Sequence, residues 1–179
     1  MQKEWRIMRI EIKDATAQDA ETISKIYALS WKVAYQGIVP QRYLDELQND
    51  FWVSAFQNWI NNNLLKVKQI YENGTPVGCI GYGKSRDEKL PNWGEVVSIY
   101  IHPDYFRKGY GQKILEVALT DMKKDGYQNC YLWVLKENKN ARHFYEKNGF
   151  RCNQDVYDLE IMGEKLSDIR YVIDLNIHQ

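Results

Sequence analysis

The sequence predicts an α/β domain of about seven strands with helices between them, and three observations carry that reading. Met8, Ile10 and Ile12 alternate with Arg9, Glu11 and Lys13, the period-two pattern of a half-buried strand. Asn73-Gly74 lies between two apolar runs, a strong hairpin signal. The apolar run Val96-Val97-Ser98-Ile99-Tyr100-Ile101 leads into a glycine-broken turn and then into apolar residues at helical spacing, a strand–turn–helix unit.

The remaining elements follow in order. Thr16-x-x-Asp19 resembles a capping box, and Ala20, Ile23, Tyr27, Trp31 and Ala34 then recur at helical spacing. A loop at 37–40 precedes a short helix over 41–47 and another over 51–61, with Phe51, Ala55, Trp59 and Ile60 on its apolar side. Strands at 65–71 and 77–82 flank the hairpin turn, and a fourth strand runs over 95–101. The long helix from Gly109 buries Ile114, Leu115, Ala118, Leu119 and Met122 and stops at Gly126. A strand at 130–135, a helix at 138–147 and two late strands, 156–161 and 170–175, complete one domain spanning 8–177. No repeat, low-complexity tract or linker interrupts it.

Composition narrows the function. The 179 residues are 44% apolar with zero formal net charge, enough for a core and no argument for nucleic acid or an anionic membrane surface. No run approaches the ~18 apolar residues of a membrane span. Met1–Arg6 lacks the apolar stretch of a signal peptide, so a cytoplasmic location is expected. Cys79, Cys130 and Cys152 are odd in number and widely spaced, which reads as buried thiols with neither a disulfide framework nor a metal site. Six Trp and thirteen Tyr suit either a core rich in large rings or a pocket wall for an apolar or cationic molecule.

Residues 106–111 read Phe-Arg-Lys-Gly-Tyr-Gly at the junction of strand and helix. The first amides of a helix have no internal partner and carry the positive end of its dipole, so they favour an anion. Glycine admits a phosphate close to the backbone, and Arg107 and Lys108 add charge. A Walker loop would need Ser or Thr after a Gly-Lys pair, and Gln112-Lys113 follows Gly111 instead. A dinucleotide fingerprint would need glycine where Ile114 stands, with an acidic residue at the end of the strand over 130–134. Alone, the hexapeptide is equally an ordinary tight turn.

Residues 132–150 read Leu-Trp-Val-Leu-Lys-Glu-Asn-Lys-Asn-Ala-Arg-His-Phe-Tyr-Glu-Lys-Asn-Gly-Phe. Through Val134, Asn138, Ala141, Phe144, Tyr145, Glu146, Lys147, Gly149 and Phe150 this segment resembles the second signature of the GNAT acetyltransferase superfamily. The first signature, Gln/Arg-x-x-Gly-x-Gly/Ala, falls on 106–111, with Gly109 and Gly111 in place and Phe106 where Gln or Arg is usual. The resemblance is strong over 76–150 and extends to the flanks by layout.

That resemblance implies a mixed sheet flanked by helices, with fourth and fifth strands that splay apart around the thioester of acetyl-CoA. The amides of Arg107, Lys108, Gly109, Tyr110, Gly111 and Gln112 would surround the pyrophosphate, with Arg107 and Lys108 replacing the charge that Phe106 cannot supply. The backbones of Ile99 and Ile101 would pair with the pantetheine, aided by Asn138 and Ala141 in the second signature. Asn138 equally suits a helix N-cap. One of Lys136, Lys139 and Arg142 would reach the 3′-phosphate, or all three form a solvated face. Tyr145 would protonate the departing thiolate, whose conjugate acid resembles a cysteine thiol of pKa about 8.5. Its other reading is a helix tyrosine capping the core.

An alkylamine of pKa about 10.4 is neutral in only roughly one molecule per thousand at pH 7, so a base is wanted. Glu95, fourteen residues before Gly109, matches the base position of the histone-type branch; otherwise it is a solvated strand-start residue. His102 and His143 are not expected in catalysis. No cysteine lies near the signatures except Cys130 and Cys152, so direct attack by a bound amine is expected, without metal or covalent intermediate.

Trp31, Tyr35, Tyr43, Asp45, Glu46 and Asp50 fall in the segment that would hold the acceptor, and rings with carboxylates suit a small, polyamine-like cation. An aminoglycoside or a protein N-terminus stays open as acceptor, and so does a homodimer. The rival class is a non-catalytic acyl-CoA-binding or sensor module.

Overall fold

In the computed structural model, which describes residues 8–177, seven strands form one sheet in the order β1-β2-β3-β4-β5-β7-β6. They are β1 (Ile10–Asp14), β2 (Lys66–Glu72), β3 (Thr75–Lys84), β4 (Gly94–Ile101), β5 (Asn129–Leu135), β6 (Arg151–Ile161) and β7 (Glu164–Asp174). Five helices accompany them: α1 (Ala20–Ala34), α2 (Gln41–Glu46), α3 (Val53–Asn61), α4 (Tyr110–Lys124) and α5 (Lys139–Lys147). Every neighbouring pair of strands is antiparallel except β4 and β5, so the sheet is mixed.

Strand alternation separates two cores. On one face Ile70, Ile80, Tyr82, Leu132 and Ile173 pack against Ile114, Leu115, Ala118, Leu119 and Met122 of α4, the apolar stripe that the helical spacing predicts. On the other face Val67 and Cys79 meet Ile23, Tyr27 and Phe56 of α1 and α3. A third cluster, Val39, Leu44, Leu135 and Leu166, fastens α2 and the loop before it to the β6–β7 hairpin. These contacts fix α1 over β3 and β4, and its following loop with α2 over the β5–β7 end of the sheet.

The capping box expected at Thr16 forms, with the Asp19 carboxylate accepting from the Thr16 N–H at 2.7 Å and from its hydroxyl at 2.9 Å. The structure corrects two other expectations. Cys152 is an exposed thiol on β6, whereas Cys79 and Cys130 are buried. Finally, β6 and β7 are longer than their apolar runs, because β6 is an edge strand whose outer residues are polar and exposed. Its register breaks between Cys152 and Val156, with Gln154 at φ 70°, which hides the period-two pattern.

Candidate active site

Strands β4 and β5 pair only at Gly94↔Cys130 and Glu95↔Tyr131 and then diverge. Each keeps a full partner on its far side: β4 pairs with β3 along its length, and β5 with β7 from Asn129↔Asp174 to Leu135↔Asp168. The gap between them opens into a cleft of about 1690 Å³. The His102 N–H donates to the Val77 carbonyl beside β3, so alternation turns the backbones of Ile101 and Ile99 toward the gap. Both residues line the cleft. The Ile101 carbonyl also accepts from the Ser30 hydroxyl on α1, which occupies one of its two lone pairs.

At one mouth of the cleft the chain turns through Arg107 at φ 62° and Gly109 at φ 79°, and α4 starts at the next residue. Such alternation of left- and right-handed backbone points successive N–H groups into one concavity. Among the described residues, none of the amides from Arg107 to Gln112 donates to a protein acceptor, and the first α4 bond runs from Lys113 N–H to the Gly109 carbonyl. A Cβ on Gly109 would meet nothing within 4 Å, so the space before it is open. Gly111 has a different reason: a Cβ there would lie 3.4 Å from the Phe144 ring, which sets how closely α4 and α5 approach. Arg107, Gly109, Gly111 and Gln112 line the cleft with Phe106. Lys108 turns away, bonded to Glu72 at 3.3 Å and stacked over Tyr105 at 4.7 Å. It offers the cradle its amide rather than its charge. The Tyr110 side chain is buried and its hydroxyl donates to Glu72, so that residue too faces the cleft through its backbone.

From the opposite wall come Asn138, Ala141 and Tyr145, all lining the cleft. Asn138 caps α5: its side-chain oxygen accepts from Ala141 N–H at 3.1 Å. Its NH2 group keeps no protein partner among the described residues. Tyr145 is 8% exposed and packed against the rings of Phe144, Phe150 and Tyr171. Burial, reinforced by Tyr35, pushes its hydroxyl well above the ordinary tyrosine range, so it keeps its proton at neutral pH. His143 lines the cleft, while His102 caps the short turn after β4 by accepting from Asp104 N–H. Arg142 is committed to the Tyr171 hydroxyl and the Lys136 carbonyl, at 3.2 and 3.0 Å. The exposed Lys136 and Lys139 do not line the cleft.

Glu95 lines the cleft but is only 2% exposed, so it is no solvated strand-start residue. One carboxylate oxygen accepts from Arg86 N–H at 3.0 Å, from Arg86 Nε at 3.0 Å and from the Tyr131 hydroxyl at 2.9 Å. The other accepts from Arg86 Nη2 at 2.6 Å. A carboxylate has about four acceptor positions, and four donors already approach this one.

A charged network absent from the sequence reading lies beside it. The Arg170 guanidinium stacks over Tyr131 and Trp133, 5.0 and 4.5 Å from their ring centres, and pairs with Asp87 at 2.5 Å and Asp155 at 3.2 Å. Its partners come from the loop before β4 and from β5 and β6, so no local sequence pattern announces it. Asp168, two residues before Arg170 and on the same face of β7, also lines the cleft. It stands opposite Leu135 on β5 and Tyr157 on β6, with no side-chain hydrogen bond or ion pair among the described residues. Burial, and then the charge of Glu137, push its carboxyl up to about 6.

Of the segment expected to hold the acceptor, Trp31 and Tyr35 reach the cleft, with ring centres 4.6 Å apart. Tyr43 packs against Trp31. Asp45 and Glu46 are exposed and bonded along α2 to Gln41 and Arg42, and Asp50 is exposed outside the cleft. Two of the three rings of that expectation therefore stand at the site, and its three carboxylates do not. Cys130 is fully buried, and burial raises its thiol far above the reactive range.

A family model described as the acetyltransferase (GNAT) family matches residues 24–150. A spermidine N(1)-acetyltransferase of Thermoplasma acidophilum is 29% identical over 170 residues, covering 88% of this chain and 98% of the relative. An N-alpha-acetyltransferase of Saccharolobus solfataricus is 28% identical over 144 residues, covering 78% and 79%. The crystal structure of the PaiA N-acetyltransferase from Thermoplasma acidophilum, in complex with coenzyme A, superposes with a TM-score of 0.77 at 25% identity, covering 93% of this chain and 99% of that one.

Proposed function

The chain belongs to the acetyltransferase (GNAT) family, and from that premise we propose that it acetylates the primary amine of a small, polyamine-like cation by direct attack on acetyl-CoA. Membership makes it an acetyl-CoA-dependent N-acetyltransferase. The observation that carries the choice of acceptor is the acceptor end of the cleft. There Trp31, Tyr35 and Tyr157 line the cleft together with Asp168, a carboxylate with no cation of its own among the described residues, while Trp133 carries Arg170. Rings and an unpaired carboxylate suit an ammonium group. Similarity to a spermidine N(1)-acetyltransferase supports the same reading.

In this proposal the amides of residues 107–112 hold the pyrophosphate, and Arg107 adds its charge. The free edge of β4 at Ile99 and Ile101 pairs with the amide-bearing pantetheine, which places the thioester where β4 and β5 separate. Asn138 supplies its NH2 group to the same arm. The amine nitrogen attacks the thioester carbon, the C–N bond forms and the C–S bond breaks. Tyr145, which keeps its proton in this buried position, gives it to the departing thiolate. Glu95, expected from its spacing to be the base, would have to shed one of four hydrogen bonds before accepting a proton. It holds Arg86 and Tyr131 in the cleft wall as it stands.

Thiol release from acetyl-CoA, followed with a panel of acceptors, tests the choice. Linear di- and triamines should give the highest kcat/KM, above free amino acids, peptide N-termini and aminoglycosides. Preference for a peptide N-terminus would replace the polyamine-like acceptor and leave the acetyltransferase assignment intact.

A further inference from the structure

Apart from Lys89, the cations at the acceptor end of the cleft are paired. Arg86 is neutralised by Glu95, and Arg170 by Asp87 and Asp155. Asp168 is the carboxylate left over: it lines the cleft and carries no ion pair among the described residues. Its surroundings from each neighbouring element explain why. From β5 it faces Leu135, with Glu137 and Lys136 beyond the strand end; from β6 it faces Tyr157. From the α1 side comes Tyr35, close enough for the charge of Asp168 to raise its hydroxyl. Along β7 its same-face neighbours are Leu166 and the already neutralised Arg170. A carboxylate kept in such company without a partner costs stability when ionised. Such costs cluster where a charge has work to do.

We propose that Asp168 receives the ammonium group of the acceptor and takes the proton that frees its nitrogen lone pair. The inference rests on the reading of the acceptor as a cationic amine. Tyr35 links it to the chemistry: Tyr35 shares a 3.0 Å hydrogen bond with Tyr100 of β4 and lines the same cleft as Tyr145. The step balances. The ammonium gives one proton to the Asp168 carboxylate, and the neutral amine attacks. The nitrogen loses a second proton as the thiolate gains one through Tyr145. Amide, thiol and one proton result, and Asp168 returns that proton to solvent. A carboxyl titrating near 6 is ionised at neutral pH and still basic enough to accept a proton.

Asp168→Asn keeps shape and removes proton acceptance. With the best di- or triamine, kcat/KM at pH 7.5 should fall by ~10²-fold or more, with the dissociation constant of acetyl-CoA within twofold of wild type. The acidic limb of the wild-type pH profile should disappear, and the residual rate should climb with pH as free amine accumulates. Asp168→Glu should recover part of the loss. An aromatic amine, already neutral at pH 7.5, should lose little. Glu95→Gln, by contrast, should keep the acidic limb whatever its rate.

Thermal melting gives a readout independent of turnover. The folded carboxyl is raised above its unfolded value of 3.8, so its burial cost is absent below pH 4 and complete above pH 6. Asp168→Asn should therefore melt higher than wild type at pH 8 and show no such gain at pH 4. An Asp168→Asn enzyme with wild-type kcat/KM and profile, while wild type acetylates polyamines, overturns the role of Asp168 alone. A wild-type enzyme that acetylates no cationic small amine overturns the acceptor reading and this inference together.

Discussion

Tyr145 illustrates how one side chain draws two properties from one environment. The rings of Phe144, Phe150 and Tyr171 hold it in place, and the same burial keeps its hydroxyl protonated. Tyr145→Phe removes the oxygen and keeps the packing. Turnover should fall by roughly 10–10⁴-fold, as for a lost general acid, with acetyl-CoA affinity nearly unchanged. Unaltered turnover would make the hydroxyl structural. Glu95 shows the limit of spacing as a guide at this scale. Its distance from Gly109 places it in the cleft, but Arg86 and Tyr131, which fill its acceptor positions, come from other segments of the chain. Asp168 and Arg170 were illegible for the same reason: the runs flanking them read as an ordinary late strand, and their importance arises only from what β5, β6 and the loop before β4 bring alongside.

Elements with strong local signals read well. The hairpin turn at Asn73-Gly74, the α4 stripe, the glycine stop at Gly126 and the Asn138 cap all arise from interactions within a few residues, and the sequence displays those directly. The full β6–β7 hairpin did not read, since an exposed edge strand with a bulge has no period to display. The turn into α4 is where an element becomes a site. Its unpaired amides follow from the left-handed Arg107 and Gly109, and the open space in front of Gly109 fits an approaching phosphate. Gly109→Glu would strain a backbone at φ 79° and set a carboxylate in that space. Calorimetric titration should show acetyl-CoA affinity reduced by at least tenfold in a folded variant. Equal affinity would remove the turn from cofactor binding.

Across the whole molecule, the sheet supplies the working cleft by a topological mismatch. β4 belongs to the antiparallel block of β1–β4, β5 to the block it forms with β7 and β6, and the two blocks touch at only two residue pairs. Each block is satisfied on its own, so separating them leaves a free β4 edge and a cleft without unfolding either. The wall of the proposed acceptor end comes from α1, β5, β6 and β7, outside most of the two signatures, which is why they bear on the proposed thioester end and stay silent on the acceptor. The central claim is that both substrates occupy this cleft together and react directly. Its most direct test is the initial rate of thiol release with acetyl-CoA and a linear diamine both varied, with the product identified by mass. Intersecting double-reciprocal lines and a singly N-acetylated diamine formed in equal amount to thiol are predicted. Parallel lines, the mark of an acetyl-enzyme intermediate, or no amine-dependent thiol release from a protein that binds acetyl-CoA, would contradict it.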